Sequence, residues 1–257
     1  MYGLDPVLLC GLAVAALFAG FIDAVVGGGG LIQIPALFQA LPRELPATLF
    51  GTNKFSSIFG TTNAAWRYSR RVAMPWRTTL PAAVAAFACS YLGAMAVAWL
   101  PSAVLRPLIL LLLVGAAVYT FARRDFGAIH RPQHTGRREF AYAFLLGGAI
   151  GFYDGFFGPG TGSFLIFLFI RFFGFDFLHA SAAAKVVNVA TNLAALGFFI
   201  PHGHFLPVLA VMMATCNVVG SLVGTQLALR HGSAFVRKAF LGVVSVFILK
   251  FAHDTFF

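Results

Sequence analysis

The chain has 257 residues, of which 60% are hydrophobic, 10% are charged and 30 are phenylalanine. Soluble domains carry about a quarter charged residues, so this composition excludes an ordinary soluble protein. The continuous apolar runs also exclude a β-barrel, whose strands alternate in polarity. The formal net charge is +10, but most basic residues lie in short connections between apolar runs. That placement is typical of membrane orientation signals and predicts no nucleic-acid partner.

Apolar segments follow one another along the chain in two groups of four. The first group covers 7–40, 47–66, 76–99 and 104–121. The second group covers 140–175, 178–200, 205–228 and 234–252. A membrane-spanning helix needs about 20 apolar residues. The sequence therefore predicts an all-α polytopic membrane protein of two tandem repeats with about four transmembrane helices each, the first helix of each repeat being broken at a glycine-rich stretch.

The repeat is visible in the motifs themselves. "GFIDAVVGGGG" at 20–30 resembles "GFYDGFFGPGT" at 151–161, and the same offset carries Asp23 onto Asp154 and Lys54 onto Lys185. Many transporters are built from such internal repeats. We therefore divide the chain into a first repeat at 1–122, a basic cytoplasmic linker at 123–139 and a second repeat at 140–257.

The orientation prediction depends on how often the interrupted segments cross the membrane. If each crosses once, more lysines and arginines fall on the side of the linker than on the opposite side, which makes the linker side cytoplasmic. Both termini are then expected in the cytoplasm. An even number of crossings in each half also predicts parallel rather than inverted repeats.

The glycine tracts lie where a continuous helix would otherwise be expected. Irregular backbone at membrane depth is tolerated only where it is buried in protein or lines a wet cavity. A broken helix also presents the positive end of the following half-helix, which is an anion site. Tight helix packing is the alternative role for glycine, but "GGGG" at 27–30 and "GPGTG" at 158–162 favour a genuine break. Ser163 is expected to cap the half-helix after the second break.

Each half also carries a lysine within an apolar segment. Lys185, Asn188 and Asn192 share one helix face because their spacing is i, i+3, i+7, and a similar stripe in the first half starts at Lys54. A charge near the bilayer centre costs several kcal/mol and usually marks function. Two alternatives remain open at this point: the lysines extend to the headgroups, or each pairs with the aspartate of its own repeat.

These motifs resemble a known family. "GGGGLIQIPAL" followed by "GTNKFSSIFGTTNAAWRYSRR", and "GFYDGFFGPGTGSFL" followed by "AAAKVVNVATNLAAL", resemble the TauE/SafE membrane proteins, also called the sulfite exporter or 4-toluene sulfonate uptake permease (TSUP) family. The resemblance covers nearly the whole chain and implies a multi-pass inner-membrane transporter of small sulfur-containing anions such as sulfite, sulfonates or sulfoacetate. Lysines, hydroxyls, amides and helix N-termini suit such oxyanions.

We therefore expect a secondary transporter, with export as the expected direction, that binds its anion between the repeats and alternates access. A passive anion channel is the alternative. Asp23 and Asp154 are candidates for proton coupling. The expected substrate-binding residues are Gly28, Gly29, Gly30, Asn53, Lys54, Ser57, Thr61, Gly160, Thr161, Gly162, Ser163, Lys185, Asn188 and Asn192.

Other chemistries lack support in the sequence. An enzyme would need a nucleophile with its base, or a metal cluster, at membrane depth, and neither pattern is present; a scaffold without flux would leave the duplicated charges unexplained. His130 and His134 share the linker without a supporting cysteine or carboxylate. We predict no enzymatic activity, no cofactor and no metal. The expected partners are a small anion and the lipid bilayer, and a homo-oligomer is left open.

Overall fold

The computed structural model describes residues 6–97, 127, 130, 131, 133 and 135–256; beyond 246, the only side chain it describes is that of Leu249. Regular secondary structure in these residues is entirely α-helical. The predicted segment 104–121 and about half of the linker, residues 123–126, 128, 129, 132 and 134, lie outside the described residues. The helices are α1 (Pro6–Val26), α2 (Gly30–Ala40), α3 (Pro46–Ser69), α4 (Trp76–Ala96), α5 (Gly136–Phe156), α6 (Thr161–Phe173), α7 (Phe177–Phe199) and α8 (Pro207–Phe256), which bends at Gly232.

Several of these helices can cross a bilayer. By length and composition, α1, α4, α7 and the part of α8 up to Val246 qualify as spans, whereas α2 and α6 are shorter apolar helices. Large apolar side chains such as Phe18, Val84 and Leu145 are exposed on the outer surface, where lipid tails can cover them. The predicted all-α membrane fold with two broken helices is confirmed.

Each break reverses the direction of the chain. A Cβ atom on Gly29 would lie 2.5 Å from the carbonyl oxygen of Ala19, so the backbone after the break folds back along α1. Near the other end of α2, Leu37 packs in one hydrophobic cluster with Leu12 and Ala16 of α1. Helices α1 and α2 therefore form a hairpin whose two ends lie on the same side of the protein.

Helix α3 then runs in the same direction as α1. Leu49, near its start, shares the cluster of Leu12. Twelve residues later along α3, the Thr61 hydroxyl donates to the Asp23 carboxylate at 3.0 Å. Contacts at both ends in the same order require the two helices to be parallel.

The first helices of the two repeats run in opposite directions. Helix α4 returns antiparallel to α3, since Phe50 at the start of α3 and Ala94 at the end of α4 share a hydrophobic cluster. Helix α5 is parallel to α4, because its glycines meet successive turns of α4, in the pairs Gly147 with Ala82, Gly151 with Ala86 and Gly155 with Ser90. The repeats are thus inverted, and the expectation of parallel repeats is wrong. The sequence-based prediction lets each interrupted segment cross the membrane once. The hairpin instead returns to the side from which it starts, so the number of crossings in each half changes from even to odd.

The two repeats are interlocked by their close helix pairs. Helix α4 of the first repeat packs on α5 of the second. Helix α8 of the second repeat packs in the same way on α1 of the first, where Gly220 meets the backbone of Leu17 and Gly224 that of Phe21. Small residues allow such close backbone approach between membrane helices. Each first helix is therefore held mainly by the opposite repeat.

The two breaks meet inside the protein. Gly27 has a φ of +78°, which favours glycine, and a Cβ atom on Gly162 would lie 2.4 Å from the Cα atom of Gly27. The Ser163 hydroxyl donates to the carbonyl oxygen of Val26 at 2.8 Å. The end of α1 is thus in direct contact with the start of α6.

Basic residues gather on one side of the molecule. The Tyr68 hydroxyl bonds the carbonyl of Ala24, and the Ser181 hydroxyl that of Val25, so the ends of α1 and α3 and the start of α7 lie at one level. Arg43, in the loop between α2 and α3, lies on the opposite side. The arginines and lysines on or next to the first side, among the described residues, are Arg67, Arg70, Arg71, Arg77, Arg131, Arg137, Arg138, Arg171, Arg230, Arg237 and Lys238.

The described part of the linker packs on this basic side. The Arg131 amide donates to the Gly174 carbonyl at 2.7 Å. Burial, and then the nearby His179, lower the pKa of the His130 imidazole, while Asp176 acts in the opposite direction. Burial acts to raise the pKa of Asp176, but hydrogen bonds from His179 and Ser233 outweigh it, so the pKa of this carboxyl is lowered.

The contact between the breaks predicts that Gly162→Ala destabilises the protein. Both crowded groups are backbone, so neither can rotate away from the added methyl, and overpacking of this kind costs about 1–3 kcal/mol. Gly197→Ala is the matched control, because nothing lies within 4 Å of its added Cβ. Melting of the purified variants in detergent measures the difference, and equal melting temperatures would contradict the close contact.

Candidate functional site

A small cavity lies where the two breaks, α3 and α7 come together. Its volume is about 30 Å³, which is room for roughly two water molecules. Both repeats contribute to its wall, and nearly every lining residue is polar, charged or glycine. The lining residues are Asp23, Gly27, Gly30, Asn53, Lys54, Ser57, Thr61, Asp154, Gly158, Thr161, Gly162, Asn188 and Asn192.

Two ion pairs, each with a buried lysine, cross between the repeats at this cavity. The Lys54 ammonium donates to the Asp154 carboxylate at 2.5 Å, and the Lys185 ammonium lies 3.3 Å from the Asp23 carboxylate. The expectation that each lysine pairs with the aspartate of its own repeat is wrong. Inversion of the repeats places the lysine of each half beside the broken helix of the other. The expectation that the lysines extend to the headgroups is also wrong, because both are buried.

The two pairs differ in how they meet the cavity. Lys54 lines the cavity wall and is hydrogen-bonded to its partner. Lys185 is fully buried and does not line the wall; its ammonium is close to Asp23 but has no aligned hydrogen bond. Asp23 instead accepts the Thr61 hydroxyl. Lys54 is therefore the cation that a molecule in the cavity meets.

Two helices begin at the cavity wall. Gly30 is the first residue of α2, and Thr161 and Gly162 open α6. Neither helix start has a side-chain cap; Ser163 bonds across to Val26 and does not cap α6 as expected. Uncapped first-turn amides carry the positive end of the helix dipole. The cavity therefore combines a cation with two helix N-termini, an arrangement suited to an anion.

Amide side chains complete the wall. Asn53 from α3 and Asn188 from α7 each have a side-chain oxygen that is buried and has no hydrogen-bond partner. A buried polar atom without a partner costs about 1–3 kcal/mol, so a ligand or water in the cavity can recover that energy. Rotation of the amide by half a turn would present its NH₂ group to an oxyanion.

The structure brings together most of the predicted site residues. Those on the wall are Gly30, Asn53, Lys54, Ser57, Thr61, Thr161, Gly162, Asn188 and Asn192, with the coupling candidates Asp23 and Asp154. Those not on the wall are Gly28, Gly29, Gly160, Ser163 and Lys185. Gly27 and Gly158 line the cavity but were not predicted. The sequence feature that could have identified them is their position just after the end of a helix, where a glycine with positive φ is common.

Comparison with known proteins gives a consistent set of relatives. The family model "Sulfite exporter TauE/SafE" matches residues 12–251. A Sinorhizobium protein named "Probable membrane transporter protein ORF9" is 37% identical over 240 residues, which are 93% of this chain and 90% of the relative. "Probable membrane transporter protein YfcA" of Escherichia coli K12 is 32% identical over 257 residues, covering 99% of this chain and 93% of the relative. A Haemophilus influenzae "Probable membrane transporter protein" is 30% identical over 253 residues, covering 98% and 96% respectively. No solved structure gives a significant match to the chain.

The crossed pairing is tested by two double-mutant cycles on stability. Lys54→Ala and Asp154→Ala should each cost about 3–5 kcal/mol because a buried charge loses its partner. The double variant should lose much less than the sum of the two. The control cycle combines Lys54→Ala with Asp23→Ala, and there the losses should be closer to additive. Stronger coupling of Lys54 to Asp23 than to Asp154, measured by denaturation in detergent, would contradict the crossed arrangement.

Proposed function

Because the chain belongs to the sulfite exporter TauE/SafE family of membrane transporters, we propose that it is a secondary transporter of the inner membrane that exports small sulfur-containing anions such as sulfite, sulfonates or sulfoacetate. The observation that carries this proposal is the small polar cavity between the repeats, which is lined by a lysine and two uncapped helix starts. We infer no catalysis from this site.

The donors around the cavity match an oxyanion. A sulfite or sulfonate group presents two or three oxygens that accept hydrogen bonds. Lys54 supplies a positive charge, the starts of α2 and α6 supply backbone amides, and Ser57 supplies a hydroxyl. Hydrogen bonds with an ionised partner are roughly twice as strong as neutral ones. The substrate is thus recognised by its charge and by the oxygens around one sulfur.

The carboxylates of the cavity give a route to proton coupling. Lys54 is already neutralised by Asp154 at 2.5 Å, so an incoming anion competes with this carboxylate. Protonation of Asp154 frees Lys54, and proton and anion then bind cooperatively. Asp23 has the equivalent position beside Lys185. Export by such a carrier requires an outward anion gradient that exceeds the inward proton gradient.

The inverted repeats favour alternating access. A pair of inverted repeats can adopt two arrangements that expose one site to opposite sides of the membrane. The cavity here, about 30 Å³, has room for only about two water molecules, so an anion enters only after the two hairpins move apart. The bending points of that motion are the glycine breaks, where Gly27 and Gly158 have positive φ.

Transport is tested in proteoliposomes with sulfite, an alkanesulfonate, sulfoacetate and sulfate. The wild type should show saturable flux that depends on a pH gradient. The double variant Lys54→Gln with Asp154→Asn keeps the shape of the pair but removes the charges, and its flux should fall at least about tenfold. Lys238→Gln, outside the cavity, is the control. Flux that grows linearly with concentration and ignores the pH gradient would favour a passive channel, and unchanged flux in the double variant would contradict the site.

We also propose that the arginine-rich side faces the cytoplasm. Lysine and arginine are in excess on cytoplasmic loops, and this side carries most of the basic residues described above. The N-terminus of α1 and the loop at Arg43 then lie on the outside. This reverses the expected cytoplasmic N-terminus, because the hairpin of α1 and α2 returns to the side from which it starts.

Labelling of single cysteines tests this orientation in whole cells. In a background with Cys10, Cys89 and Cys216 changed to serine, Glu44→Cys should react with a membrane-impermeant maleimide. Arg71→Cys should react only after the cells are permeabilised. Both replaced residues are exposed loop positions, so the two variants are matched in accessibility. The opposite labelling pattern would reverse the proposed orientation.

A further inference from the structure

A cluster of histidine and aspartate side chains lies on the basic side, away from the cavity. His130 comes from the linker, Asp176 from the turn before α7, and His179 from the first turn of α7. One ligand atom from each lies within 4.8 Å of those from the other two. The His179 Nδ1 atom is 2.9 Å from both oxygens of Asp176, and the two imidazole rings stack with their centroids 4.0 Å apart.

One atom of this cluster has no partner. The Nδ1 atom of His130 is buried and makes no hydrogen bond in the described structure. A buried polar atom of this kind is costly, and the stacked ring of His179 offers it only a face. The cluster therefore holds an imidazole nitrogen without a partner close to a second imidazole and a carboxylate.

We propose that His130, Asp176 and His179 bind one divalent transition-metal ion, with Zn²⁺ as the preferred ion. Two imidazoles and one carboxylate are a usual protein ligand set for Zn²⁺, with water in the fourth position. Ligand atoms in a tetrahedral zinc site are about 3.3 Å apart. Binding therefore requires the two imidazole rings to rotate out of their stack, so that their ligand atoms and the Asp176 carboxylate move closer together. Mg²⁺ and Ca²⁺ prefer all-oxygen sites and fit poorly.

The bound ion joins the linker to a helix of the transport site. Asp176 already caps α7, since its carboxylate accepts the His179 amide at 2.8 Å. Helix α7 carries Asn188 and Asn192 of the cavity. Metal binding thus fastens the linker to the start of the helix on which these residues lie. This site is independent of the proposed anion transport, and its test does not depend on flux.

The metal itself is the probe. Purified full-length protein is stripped with a chelator and titrated with ZnCl₂ by calorimetry, and with Co²⁺ by its visible absorption. The wild type should bind one ion per chain and melt at a higher temperature with Zn²⁺. His130→Gln and His179→Gln should each weaken Zn²⁺ binding by at least about tenfold, the lower end of the loss when an outer partner of a metal ligand is removed. His202→Gln, an exposed histidine that bonds only its own helix at Phe198, should bind as the wild type does.

Further measurements separate metal binding from folding. Asp176→Asn keeps an oxygen that can cap α7 but weakens both the metal ligand and the contact with the His179 ring, so the metal-free protein should still fold, with a small loss in melting temperature, while Zn²⁺ binding falls. The proposal is overturned if the wild type binds no stoichiometric Zn²⁺, if Mg²⁺ binds as tightly, or if His130→Gln and His179→Gln retain wild-type affinity.

Discussion

Two lysine–aspartate pairs with buried lysines, each joining one repeat to the other, are the constraint on which the rest of this structure depends. Lys54 and Asp154 lie within hydrogen-bond distance in the interior, where a lone charge would be costly. Loss of one partner of such a pair costs about 3–5 kcal/mol. The pairs can form only if the broken helix of each repeat lies against the lysine helix of the other. The interlocked packing of α1 with α8 and of α4 with α5 holds the helices in that position.

The glycine breaks and the ion pairs act together to build the cavity. The breaks turn the chain back, so that α2 and α6 begin beside Lys54 in the interior rather than at the membrane surface. The breaks also bring irregular backbone to membrane depth, which is tolerated because it is buried against the other repeat. The cavity that results is lined from both repeats by polar and charged residues and glycines, in a chain that belongs to a family of membrane transporters.

Much of the fold and of the site could be predicted from local pattern. The length of the apolar segments predicts the helices, and the glycine tracts predict the breaks. The constant offset between the "GFID" and "GFYD" motifs predicts the repeat. The direction of α2 could not be predicted, because a segment of ten mostly apolar residues after a break has the same sequence pattern whether the helix continues across the membrane or turns back. The wrong expectation of parallel repeats and the wrong partner for Lys54 both follow from that one ambiguity. The approach of His130 to Asp176 was also missed, since sequence spacing carries no information on contacts between distant segments.

The crossed pairing has a consequence for biosynthesis. Lys54 precedes Asp154 by 100 residues, and ribosomes add roughly 5–20 residues per second. About 5–20 s therefore pass between the synthesis of Lys54 and the synthesis of Asp154, its partner in the ion pair. Asp23 waits longer still for Lys185. The first half of this protein is thus made before either of its native ion pairs can form.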